Sequence, residues 1–100
     1  MVKGAYIFVW PDADSRRHRA VVETSTLSWI IVGVKDFDDG VNIAKSLVKE
    51  GIQAIELCGG WGSVGCAKIF EAVGDKIPVG AVSFGIESVG KFTEWLRKSK

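Results

Sequence analysis

Four runs of apolar residues, at positions 5–10, 27–34, 52–57 and 78–84, are nearly continuous rather than alternating. A strand covered by helices on both faces of a parallel sheet reads this way, whereas a strand with one wet face alternates apolar with polar. The spacing then turns helical. After Asp36, the residues Val41, Ala44, Leu47 and Val48 recur along one helical face, and Gly51 stands where a left-handed C-terminal cap belongs. After Ser63, an apolar stripe of Ala67, Phe70 and Val73 predicts a second helix with Ser63 as its N-cap and Gly74 as its stop. Near the C-terminus, Val89, Phe92 and Leu96 form a stripe while Lys91, Glu94 and Arg97 stay outside. The stretch 15–23 is ambiguous, because His18, Val21 and Val22 have helical spacing while the β-branched pair equally suits a strand.

Strand and helix thus alternate four times. The order predicts an α/β domain: a small four-stranded parallel sheet with helices on both faces, joined by right-handed crossovers, with run 5–10 buried at the centre. The alternative is half of a (β/α) barrel completed by a second copy, since four β/α units are half of the eight that close one. Residues 1–100 read as one domain, without internal repeat, linker or low-complexity stretch.

Charge narrows the class of partner. Thirteen Lys and Arg against twelve Asp and Glu leave a net charge of +1, which offers no long-range field for nucleic acid. The longest apolar runs fall far short of the roughly 20 residues needed to span a bilayer, and the N-terminus lacks a signal-peptide pattern. The expectation is a cytoplasmic protein, with neither nucleic acid nor membrane as partner. Its two cysteines are then free thiols rather than a disulfide framework, and two are too few for a structural zinc site. No metal site is expected and no cofactor is indicated.

The segment Glu56-Leu57-Cys58-Gly59-Gly60-Trp61-Gly62-Ser63-Val64-Gly65 runs from the end of the third strand through glycines into a helix. Backbone N–H groups exposed at such a turn can receive a phosphate or carboxylate. Gly60, Gly62 and Gly65 also satisfy G-x-G-x-x-G, with Glu87 near the place of the acidic residue that a dinucleotide fingerprint wants. The chain is, however, long enough for only one mononucleotide-binding half. Cys58 at the mouth of the turn is either a nucleophile favoured by the helix N-terminus or a small packed apolar group. Glu56, two residues earlier on the same face, either lines a pocket as general acid or base or pairs with a neighbouring cation. Trp61 has little local cover and is expected against a ligand ring, a folded-over loop or another subunit.

Arg16, Arg17, His18 and Arg19 follow the first strand and are candidate anion contacts if the four strands lie in the order 2-1-3-4, although a run of charges on a helix is also simply a solvated face. The ligand site is therefore expected at the carboxyl ends of the strands, formed by Cys58, Gly59, Gly60, Trp61, Gly62, Ser63, Ser83 and Glu87. Together, residues 5–9, 18–21, 32–34, 56–60 and 78–82, with the Glu-Leu-Cys-Gly-Gly block most distinctive, resemble a family of uncharacterised prokaryotic proteins of this size, a domain of unknown function. The resemblance implies a single domain and carries over no activity, cofactor or catalytic residue. Three functions stay open: a domain binding an anionic or phosphorylated small molecule, a small-metabolite enzyme using Cys58 or Glu56, and a structural homo-oligomer subunit. A homo-oligomer is expected in any case, because Trp10, Trp29, Trp61 and Trp95 are hard to cover within one small core.

Overall fold

The structure is a computed structural model, described here over residues 1–99. Its strands are β1 (Val2–Val9), β2 (Arg19–Glu23), β3 (Leu27–Val34), β4 (Ile55–Leu57) and β5 (Val79–Ala81), and its helices α1 (Phe37–Lys49), α2 (Gly62–Val73) and α3 (Ile86–Arg97). The strands form an open sheet in the order β2-β3-β1-β4-β5. All neighbours are parallel except β2 and β3. The four anticipated strands are therefore present in the order 2-1-3-4, with β1 central. The expected four-stranded, wholly parallel sheet is corrected to five strands with one antiparallel pair, and the alternative of half a (β/α) barrel to an open mixed sheet whose β2 edge is antiparallel and not part of a β/α unit.

The extra strand explains why no helix follows β1. Asp14 gathers the local donors instead: its carbonyl accepts from the N–H groups of Arg17 (3.1 Å) and His18 (2.7 Å), and its carboxyl from that of Arg16 (2.9 Å). Asp14 N–H in turn donates to His18 Nδ1 at 2.8 Å. These bonds close a tight turn and leave Val21 and Val22 to follow their β propensity beside β3. The Arg16 N–H, with further help from Arg17 and the two guanidinium charges, holds the Asp14 carboxyl below its usual range.

The surest sequence prediction, α1, is also the best capped. The Asp36 side chain accepts from Asp39 N–H at 2.8 Å, Asp38 and Asp39 sit at the positive end of the helix dipole, and Lys49 lies in its last turn. Gly51 follows at φ 99, the left-handed conformation that ends the helix. Gly40, Ala44 and Leu47 are its buried stripe. In α2 the buried stripe is Gly65, Ile69 and Val73, not the predicted Ala67, Phe70 and Val73; Ala67 and Phe70 are exposed. A glycine buried by close approach carries no hydrophobic signal, so the periodicity was read one face off. Ser63 makes no side-chain cap, since the helix begins one residue earlier, at Gly62.

The crossovers β3-α1-β4 and β4-α2-β5 both step the same way along the sheet and so place α1 and α2 together on one face. Between them and the sheet lies the core, with Ala5, Ile7, Val32, Val34, Leu57, Trp61 and Ile69 all within 1 % of full burial. The side chains that alternate with these, Tyr6 and Phe8 of β1 and Trp29 and Ile31 of β3, belong to the second face and are half-buried. Over Tyr6 and Phe8 lies α3, which buries none of its residues fully. No helix among the described residues is long and apolar enough to cross a membrane.

Candidate functional site

Tyr6, Phe8 and Trp10 recur every second residue and so project from β1 onto the face that α1 and α2 leave free. Above them, α3 contributes Phe92, Trp95 and Leu96, and the segment after β5 contributes Phe84. The rings engage one another across the gap: Trp10 meets Trp95 at a centroid distance of 5.8 Å, Phe84 stacks on Phe92 at 4.3 Å, and Phe92 on Trp95 at 5.9 Å. They enclose an open-mouthed cavity of about 870 Å³ at the carboxyl ends of β1 and β4. Its remaining wall includes Cys58, Gly59 and Gly60 after β4, and Phe37 at the start of α1. Among the described residues, Lys35 is the one charged side chain in the lining.

One family model matches residues 2–97, a span that takes in every strand and all of α3. The chain belongs to DUF6506, a family of unknown function. No curated protein and no solved structure matches it.

In this DUF6506 domain the expected site residues separate into groups. Cys58, Gly59 and Gly60 line the cavity. Trp61 does not: it is 1 % exposed, stacks on Phe37 at 5.1 Å and donates its indole N–H to the Ile7 carbonyl at 2.9 Å. The cover it lacked locally comes from α1 and β1, not from a ligand or another subunit. Gly62, at φ 59, and exposed Ser63 open α2 outside the lining, and Ser83 and Glu87 are likewise exposed outside it. Arg16, Arg17, His18 and Arg19 lie in the β1–β2 turn and the edge strand, two strands away from β4, and none reaches the cavity. Among the described residues no three His, Cys, Asp or Glu side chains gather as a metal site would require.

Sequence reading missed the aromatic lining, although a signal for it was present. Within 5–10, aliphatic Ala5, Ile7 and Val9 alternate with aromatic Tyr6, Phe8 and Trp10, so the run distinguishes two faces even though it is apolar throughout. One face packs against helices and the other walls a cavity.

Glu56 pairs in register with Tyr6 and is exposed, while Cys58 stands further along the same face. Burial of the Tyr6 phenol, then the nearby Cys58 and Glu56, push its pKa above the ordinary 10.0. The chain has a single tyrosine, which makes this directly measurable. Ultraviolet titration of the folded protein should give a phenolate midpoint above 10, and Glu56→Gln should bring it down by removing one of the opposing charges. By linkage, this phenol's contribution to stability is complete below the unfolded-state pKa and is lost as pH rises through the higher folded value. A midpoint at 10 that Glu56→Gln leaves unmoved would place Tyr6 in open solvent, away from both groups.

Proposed function

We propose that this domain binds a small, flat, mostly apolar molecule bearing one acidic group, in the cavity beneath α3. The supporting observation is the concentration of rings: Tyr6, Phe8, Trp10, Phe37, Phe84, Phe92 and Trp95, seven of the ten aromatic side chains in the sequence, line one cavity. A hydrophobic cavity of this volume with few polar groups is the usual form of a small-molecule site, and ring faces favour planar partners. Lys35 supplies a positive charge among the described lining residues and thus the preference for an anion. The anion enters as a carboxylate at the rim, while the bulk of the ligand is apolar, which a phosphate-cradling turn would not require.

The test is thermal unfolding with three probes: 2-naphthoate, its neutral analogue 2-naphthalenemethanol, and inorganic phosphate. Both naphthalenes should raise the unfolding temperature, since a ligand held only by the folded state stabilises by mass action. The carboxylate should bind about two- to fivefold more tightly than the alcohol, the size expected of one exposed charge, and Lys35→Met should abolish that difference. Stabilisation by phosphate alone would overturn the proposal.

A further inference from the structure

The outer edge of the sheet carries a pattern that its own chain leaves unused. All five residues of β2, Arg19-Ala20-Val21-Val22-Glu23, are exposed, Val21 at 55 % and Val22 at 57 %. The edge holds neither proline nor lysine, two of the usual devices against strand pairing, and its two charges, Arg19 and Glu23, are of opposite sign.

Hydrogen bonding fixes which groups face outward. Gly33 N–H donates to the His18 carbonyl, and Thr24 N–H to the Leu27 carbonyl, each at 2.8 Å. In an antiparallel pair the bonded residues alternate, so positions 18, 20, 22 and 24 spend their backbone groups on β3. Arg19, Val21 and Glu23 therefore direct their N–H and C=O groups away from the sheet.

We propose that two copies of this chain pair through β2, antiparallel across a two-fold axis at Val21, to make one continuous ten-stranded sheet. In that register Val21 lies opposite its own counterpart and exchanges both backbone bonds with it. Arg19 lies opposite Glu23 of the second copy, and Ala20 opposite its Val22. The strand is thus self-complementary in charge, in apolar character and in backbone polarity at once, as an isologous contact requires. Arg19 Nε is held by the Ser15 carbonyl at 2.8 Å, which leaves the terminal nitrogens of the guanidinium for the carboxylate.

This pairing is independent of the cavity, whose wall includes β1, with β3 between it and the β2 edge.

Sedimentation equilibrium of the full chain tests it. The unaltered protein should be a dimer at micromolar concentration. Val21→Glu, which sets two like charges against each other on the axis, should raise the dimer dissociation constant by about tenfold or more while circular dichroism stays native. Arg19→Glu should weaken the dimer, and the exchange Arg19→Glu with Glu23→Arg should restore it; this restoration is expected whether or not Val21→Glu folds. A monomer at high concentration, or a dimer indifferent to Val21→Glu and to the charge exchange, would overturn the proposal.

Discussion

Trp61→Ala should cost about 3–5 kcal/mol, a large share of the roughly 5–15 kcal/mol that holds a domain of this kind folded. The indole fills the junction of β1, α1 and α2, where it stacks on Phe37 and reaches the Ile7 carbonyl. Truncation leaves a void between elements too well braced to collapse into it. The Ile7 carbonyl keeps its bond from Cys58 N–H at 3.3 Å, so the loss is mainly one of packing. Trp61→Phe should accordingly cost only about 1–2 kcal/mol, the hydrogen bond and part of the ring. Urea unfolding followed by circular dichroism measures both. Similar small costs for the two would mean that Trp61 is peripheral to the core.

Gly40→Ala should destabilise by about 1–3 kcal/mol, although Ala for Gly inside a helix normally gains up to about 1 kcal/mol. A Cβ at Gly40 would run into the buried six-membered ring of Trp61, and one at Gly65 would come within 2.9 Å of both Trp61 and Phe37. The Trp61 ring cannot swing aside while its N–H is bound to β1. Steric overlap therefore outweighs helix propensity at both sites. Because the two glycines touch one ring, the costs of Gly40→Ala and Gly65→Ala should not add. Trp61→Leu should remove most of the penalty of Gly40→Ala, whereas an undiminished penalty in that background would assign it to some other contact.

Those glycines also show where the sequence was legible. The α1 helix could be read from Asp36 to Gly51 because its caps and its stripe of Ala44 and Leu47 are local signals. The four anticipated strands were legible for the same reason, since their apolar runs are local, whereas their order in the sheet is set by contacts between distant segments and was not. Strand β2 was not, because Val21 and Val22 satisfy both a strand and a helix, and the bonds that decide between them belong to Asp14 and β3. In the site, Cys58, Gly59 and Gly60 were found from the strand-to-helix turn. The ring-lined cavity depends on Tyr6, Phe84 and Trp95, which are far apart in sequence and meet only when α3 folds back over β1. The turn's glycines drew attention to an anion, while the rings they border favour an apolar ligand.

The proposed ligand site is the cavity under α3, not the N-terminus of α2. The most direct measurement is a titration of isotopically labelled protein with 2-naphthoate, read residue by residue in amide and aromatic NMR spectra. Binding under α3 should give saturable shifts at Trp10, Cys58, Gly59, Phe92 and Trp95, with little change at Ser63, Val64 or Arg16 to Arg19. Shifts confined to the opening turn of α2 or to the arginine cluster, with the rings of Trp10 and Trp95 unmoved, would contradict it.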